Sequence, residues 1–332
     1  MLPLPSFDLH APRTVDEVIA LLGRFGPDAL VVAGGTDLVP NMKQGLFAPR
    51  QLISLANVAE LGATKIDPTS LHLGAMTTLD ALASHPAALA HARALAEAAA
   101  AVGGPHHRRM GTLGGNLCLD TRCRYYNQTY FWRSSLGFCL KKDGTVCHVV
   151  AGGQKCVAAA SNDTAAAAIA LDATIVVAGP SGIREVHASK FWTADGIRNV
   201  TLGEGEIVLS LRVPLVDGRV SAYEKLRKRS AIDFPLISVA VRIDFDDDAK
   251  VRDLDVVVSA LAARPRRVTK ARALAEGKRA TEVPVDAIGE LARTECNPLP
   301  NVDNDTAWRK QMVAVLVRRA LGRALQGDAP VT

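Results

Sequence analysis

Six cysteines occur in the 332-residue sequence, and five of them (Cys118, Cys123, Cys139, Cys147 and Cys156) fall within 39 residues, leaving only Cys296 elsewhere. Thiolates are soft ligands, so such a concentration points to metal chemistry. A structural zinc site brings close C-x(2–4)-C pairs, whereas the steps from Cys123 to Cys139, Cys147 and Cys156 are 16, 8 and 9 residues. An iron-sulfur cluster needs four thiolates converging on one cage, and a loop can bring them from separated positions. Spacing alone leaves iron-sulfur, zinc and unrelated buried thiols open, with His148 beside Cys147 as a further ligand in a zinc reading. A disulfide framework is disfavoured. The opening MLPLPSFDLHAPR lacks the basic start and apolar block of a secretory signal, so we expect a cytoplasmic chain, whose thiols would stay reduced. Six of the fifteen aromatic residues (Tyr125, Tyr126, Tyr130, Phe131, Trp132, Phe138) lie between Cys123 and Cys139. They would anchor a long loop, or form the dry wall that a shielded metal needs.

Two glycine-rich turns carry the second candidate chemistry. In Gly34-Gly35-Thr36-Asp37 and in Gly111-Thr112-Leu113-Gly114-Gly115-Asn116 we expect runs of free backbone N–H groups, the physical requirement for gripping a pyrophosphate. Neither is a G-x-G-x-x-G, and no Walker A sequence occurs. Ser and His residues assemble no triad visible in the sequence, and His106-His107 reads as capping a turn rather than binding metal.

The elements that would position these residues follow from periodicity and caps. Thr14 and Glu17 fit a capping box for a helix closing near Gly23 to Gly26, and Ala29 to Ala33 reads as a strand running into the first glycine turn. A second helix and the strand Leu52 to Leu55 complete a small βαβ-like unit. A strand from Leu71, a long alanine-rich helix from about Ala87 to Val102, and the second glycine turn follow. Beyond Cys156 come a helix near Asp163 to Leu171 and strands at Ala173 to Ala178, Ile207 to Val213 and Ser238 to Phe245. The last third (Asp253 to Leu261, Arg267 to Glu276, Ala307 to Leu325) reads as a strand and helices, a separable α+β domain. Length predicts two or three domains. Hydrophobic content of 48% with 22% charge is ordinary globular usage, and no apolar stretch approaches a membrane span. The net charge of +5 is spread among acidic residues, which argues against nucleic acid and weakly for an anionic ligand or partner.

VVAGGTDLVPNMK (31–43) and GTLGGNL (111–117) together resemble the flavoprotein subunit or domain of the molybdenum hydroxylases, the group that includes carbon monoxide dehydrogenase and xanthine dehydrogenase. The resemblance covers essentially the whole chain. GAMTT (74–78), SNDTAAAAIALDATIVV (161–177) and YEKLRKR (223–229) extend it. It implies an α+β chain: a two-part, non-Rossmann FAD-binding domain over residues 1–218, then a smaller α+β C-terminal domain over 219–330. It also implies FAD as cofactor. Ala33, Gly34, Gly35, Thr36, Asp37 and Leu38, with Thr112, Gly114, Gly115 and Asn116, would cradle the pyrophosphate, and Thr77 would belong to the same site. Asp163 would contact the flavin side and Lys225 would lie near the isoalloxazine ring, where a cation stabilises reduced anionic flavin.

In the family a short connection joins the second glycine turn to the Ser/Asp motif, whereas Asn116 and Asp163 here are 47 residues apart. The extra segment, about residues 119–158, resembles an insertion that binds a 4Fe-4S cluster in the beta subunit of 4-hydroxybenzoyl-CoA reductase. Cys123, Cys139, Cys147 and Cys156 match its ligands in order and spacing. Cys118 and Cys296 are left as packing residues. The resemblance implies no catalytic residue on this chain. Electrons from ferredoxin would pass through 4Fe-4S and FAD to a small 2Fe-2S subunit and a large molybdenum-cofactor subunit, in a dimer of heterotrimers serving anaerobic aromatic degradation. The alternatives are an FAD subunit of another molybdenum hydroxylase, or a zinc-stabilised basic binding module built around Arg122 to Arg124.

Overall fold

Thr14 accepts from the Glu17 amide at 3.2 Å and opens the helix Val15–Phe25, which ends at Gly26 with φ 51°. Glu17 reaches one residue further out than a capping box requires, accepting from the Arg13 amide at 2.7 Å. The computed structural model of the chain describes residues 2–303 and 305–326.

Three sheets organise the molecule. The βαβ unit is present as strand Ala29–Val32, helix Leu38–Lys43 and strand Gln51–Ser54, and a third parallel strand, Asp8–His10, pairs with Gln51–Ser54 on its other side. The second sheet is antiparallel, in the order Thr64–Ile66, Ser70–Gly74, Ile207–Pro214, Thr174–Gly179 and Gly182–His187. It therefore joins chain from both sides of the cysteine segment. The third, also antiparallel, runs Arg266–Arg267, Val251–Ser259, Ile237–Phe245, Arg219–Leu226 and packs against the helices Val285–Glu295 and Thr306–Gln326. Residues 327–330 of the expected C-terminal range lie outside the described residues.

The alanine-rich segment is two helices, Pro86–His91 and Arg93–Ala100, rather than one. Ala92 between them sits at φ −140°, ψ 42°, and the Ala94 amide donates to Ser221 Oγ at 3.1 Å instead of continuing the helix. A hydroxyl 127 residues away thus outweighs the local helix preference of alanine. Arg93–Ala100 packs against Asp163–Ala170, and methyl side chains on both allow close approach in a fully buried core. Buried Glu97 ties this layer to the C-terminal sheet, accepting from the Tyr223 amide at 2.8 Å and from Arg323 at 2.6 Å. The helix expected over 267–276 is a single turn-and-a-half, Ala271–Ala275, and Val285–Glu295 is a helix the sequence pattern did not reveal.

The cysteine segment holds one short helix, Tyr130–Ser135, capped by Thr129. Its neck is closed by reciprocal backbone bonds between Arg122 and Ala159 at 2.9 and 2.7 Å. Buried Arg133 fastens it to the body through the Gly45 carbonyl at 3.2 Å, and the Arg124 amide reaches the Asn301 carbonyl at 2.8 Å. Among the described residues no helix is long and apolar enough to cross a membrane.

Candidate functional site

A cavity of about 530 Å³ opens where the first glycine turn, the second glycine turn and the 232–234 stretch of the C-terminal unit meet. Ala33, Gly34, Gly35, Thr36, Asp37, Leu38, Thr112, Gly114, Gly115, Asn116 and Asp163 all line it. Thr77 and Lys225 are not among its lining residues.

The two turns differ in a way their sequences conceal. Among the described residues, the amides of Gly34, Gly35, Thr36, Asp37 and Leu38 have no acceptor, and the helix they lead into has no side-chain cap. This run is free to meet an anion. In the second turn the amides are spent within the protein: Leu113 on the Thr77 carbonyl, Gly114 on Ala75, Asn116 on the Thr112 carbonyl, and Gly115 on the Thr112 hydroxyl. The expectation that both turns offer free donors is corrected, because the second folds directly into the helix Leu113–Leu117. Thr77 is accordingly a support for that turn rather than part of the cavity wall.

Asp163 is buried at the first turn of Asp163–Ala170, receiving the Tyr223 hydroxyl at 2.6 Å and standing 3.0 Å from Lys225 Nζ. Burial raises its pKa, opposed by the Lys225 ammonium and the Tyr223 hydrogen bond. Lys225 also donates to the Ala101 carbonyl at 2.9 Å. Its charge is held by these two acceptors, one of them the cavity-lining Asp163. Asn116 links the second turn to the same helix, accepting from the Thr164 hydroxyl at 2.6 Å and amide at 3.1 Å.

Two contributors had no motif to announce them. Arg122 stands 3.3 Å from Asp37 and 3.9 Å above the Phe234 ring, so it clamps the first turn to the C-terminal unit. Burial raises the Asp37 pKa and Arg122 opposes the shift. Ile232 lines the cavity at φ 59°, a strained position for a β-branched residue, with its amide on the Gly103 carbonyl at 3.1 Å. Nothing in an isoleucine signals such a conformation.

One residue beyond Arg122 a second, smaller pocket begins. Cys123, Cys139, Cys147 and Cys156 all line it, together with Tyr125, Tyr126, Lys141 and His148. Cys118 instead lines the large cavity, and Cys296 is buried in the C-terminal core. All six thiols are unpaired. Burial pushes Cys123 up to about 11 and raises Cys156, so both are protonated thiols that would release protons on binding a metal. Among the described residues no three His, Cys, Asp or Glu side chains are placed to hold a single metal ion. The four thiols line one small pocket. His148 Nε2 lies 2.6 Å from the Phe138 carbonyl, engaged by the loop itself.

A family model described as "FAD binding domain in molybdopterin dehydrogenase" matches residues 5–216, and one described as "CO dehydrogenase flavoprotein C-terminal domain" matches residues 221–324. The chain is 30% identical to the carbon monoxide dehydrogenase medium chain of Hydrogenophaga pseudoflava, over 98% of each chain. It is 28% identical to the nicotinate dehydrogenase FAD-subunit of Eubacterium barkeri, over 74% of this chain and 71% of that one. A solved carbon monoxide dehydrogenase from Hydrogenophaga pseudoflava superposes with a TM-score of 0.79 at 29% identity, covering 98% of this chain and 100% of the other.

Proposed function

The chain belongs to the FAD-binding medium subunits of the molybdenum hydroxylases, and from that premise we propose that it is the electron-entry subunit of a 4-hydroxybenzoyl-CoA reductase. The observation that carries this reading is the convergence of Cys123, Cys139, Cys147 and Cys156 on one pocket, adjoining the cavity that suits FAD. The free amides of residues 34–38 would hold the pyrophosphate, Thr112, Gly114, Gly115 and Asn116 would shape its opposite wall, and Asp163 would meet the flavin side. When bound, FAD supplies a centre holding one or two electrons and a 4Fe-4S cluster one that passes them singly. Three roles fall to this chain's residues: presenting four soft ligands, shielding the pocket with Tyr125 and Tyr126, and joining the two pockets at Arg122 and Cys123. Tyr130 and Phe131 of the expected aromatic wall are exposed.

The complex would contain a small 2Fe-2S subunit and a large molybdenum-cofactor subunit, as a dimer of heterotrimers in the cytoplasm, with substrate chemistry on the large subunit. Ferredoxin would be the donor, since the net charge of +5 suits an acidic carrier. The names of the relatives favour a second reading, an FAD subunit of a hydroxylase with another substrate. A zinc-stabilised binding module leaves the large cavity without a purpose.

Anaerobic purification with FAD, iron and sulfide analysis tests the proposal. We expect about four irons per chain. Cys139→Ser should lose most of the iron while keeping FAD, because oxygen is a poor substitute for a soft ligand, and Cys118→Ser and Cys296→Ser should keep both cofactors. Full iron in Cys139→Ser, or zinc in the wild type, would overturn the cluster assignment. An iron-replete complex inactive on 4-hydroxybenzoyl-CoA would leave the second reading.

A further inference from the structure

Lys141 is a buried cation that lines the thiolate pocket. Its ammonium group is surrounded by acceptors: Asp120 Oδ1 at 2.6 Å, Thr121 Oγ1 at 2.5 Å, and the carbonyls of Gly196 at 2.8 Å and Thr121 at 3.2 Å. Gly196 in turn donates its amide to the Cys156 carbonyl at 2.8 Å and packs so closely on that residue that a Cβ would lie 2.8 Å from Cys156 Sγ. The ammonium also sits 4.5 Å above the ring of Tyr126, another wall residue, whose hydroxyl shares Asp120. Asp120 lines the large cavity, where it faces Asp37 and Arg122. One buried ion pair therefore spans both pockets, with its positive end at the thiols and its negative end toward the flavin site.

We propose that Lys141 is a positioning residue for electron transfer: its fixed positive charge raises the reduction potential of the cluster in the thiolate pocket relative to that of the flavin, and Asp120 holds it there. This rests on the cluster reading above. A four-thiolate cluster gains one negative charge when one electron from the donor reduces it, and returns to its former charge when that electron passes to the flavin. A cation in a low-dielectric site nearby favours the reduced form. Asp120, on the side of the large cavity, disfavours added negative charge there. Both effects bias the electron toward the thiolate pocket and so set the driving force of the step between the two sites.

The test uses the anaerobically purified holo complex, with midpoint potentials read from the cluster's electron paramagnetic resonance signal and the flavin's absorbance. Lys141→Gln should retain iron, and at a poise where the wild-type cluster is largely oxidised its reduced fraction should fall about tenfold, which for one electron corresponds to about 59 mV. The flavin midpoint should move less, and Lys141→Arg should stay near wild type. An iron-replete Lys141→Gln with an unmoved cluster potential overturns the proposal, as does a Lys141→Arg that behaves like Lys141→Gln. If Lys141→Gln loses iron because Asp120 is stranded, the Lys141→Gln/Asp120→Asn double variant is compared with Asp120→Asn alone, so that only the cation differs and the same fall in reduced fraction is expected; iron loss in the double variant assigns the pair a structural role instead. Iron-free wild type removes the underlying cluster reading, whereas an iron-replete variant with unchanged potential removes only this proposal.

Discussion

Gly34, Gly35, Gly114 and Gly115 look equivalent in the sequence, yet they are not held by one constraint. A Cβ on Gly34 would lie 1.8 Å from the Met110 carbonyl oxygen, and one on Gly114 would lie 2.7 Å from the Ala75 Cβ, so both allow backbones to touch. Gly35 is needed for φ 69°. Gly115 is the least constrained, with a Cβ meeting Thr112 Oγ1 at 3.1 Å and the Ala33 Cβ at 3.9 Å. Gly115→Val should therefore fold, disturb the Thr112 cap and place methyl groups between the two turns. Expected is a far-ultraviolet spectrum like wild type with FAD affinity lowered at least about tenfold, roughly 1.4 kcal/mol. Full FAD occupancy at limiting FAD would count against the second turn as a cofactor wall.

At the scale of elements, the strand Val251–Ser259 carries a titratable group that senses the packing between the two units. Asp255 is buried, with Arg267 at 2.7 Å, and burial outweighs the pull of Arg267 and Arg242 to raise its pKa to about 7. The folded chain then keeps this proton up to about pH 7, whereas the unfolded chain releases it near 3.9. Between these values the folded state binds more protons, so the Asp255 contribution to stability falls as pH rises from about 4 to about 7 and is flat above. Asp255→Asn removes that slope. Its unfolding free energy relative to wild type should rise between pH 5 and pH 8 by up to roughly 2.7 kcal/mol, about two pH units at about 1.36 kcal/mol each, read by denaturant titration at those two pH values. Taking the difference between the two proteins cancels groups such as Asp244, which is lowered by Arg219 and Arg242 against its burial. Parallel pH profiles would show that Arg267 compensates fully.

For the whole molecule, the relevant observation is that both pockets are built by one chain. Loaded with FAD, the isolated subunit should reduce artificial dyes and yet fail to reduce an aromatic thioester, and turnover should return when the partner subunits are added. Thioester reduction by the subunit alone would contradict its role as a relay.

What the sequence by itself determined was local or compositional: the Thr14 cap, the βαβ unit around the first glycine turn, the concentration of thiols, and the paired motifs that carry family membership. Each is encoded within a few residues, where backbone conformation and side-chain type are directly coupled. The tertiary structure alone decided how donors and charges were allotted. Lys225 is held by Asp163 and Ala101, 62 and 124 residues away, the second turn's amides go to Ala75 and Thr77, and Ser221 interrupts the alanine helix. Arg122, Lys141 and Ile232 likewise gain their places from partners distant in the chain. A buried polar group must find a partner wherever the fold supplies one, at any sequence separation, and periodicity holds no record of which partner that is.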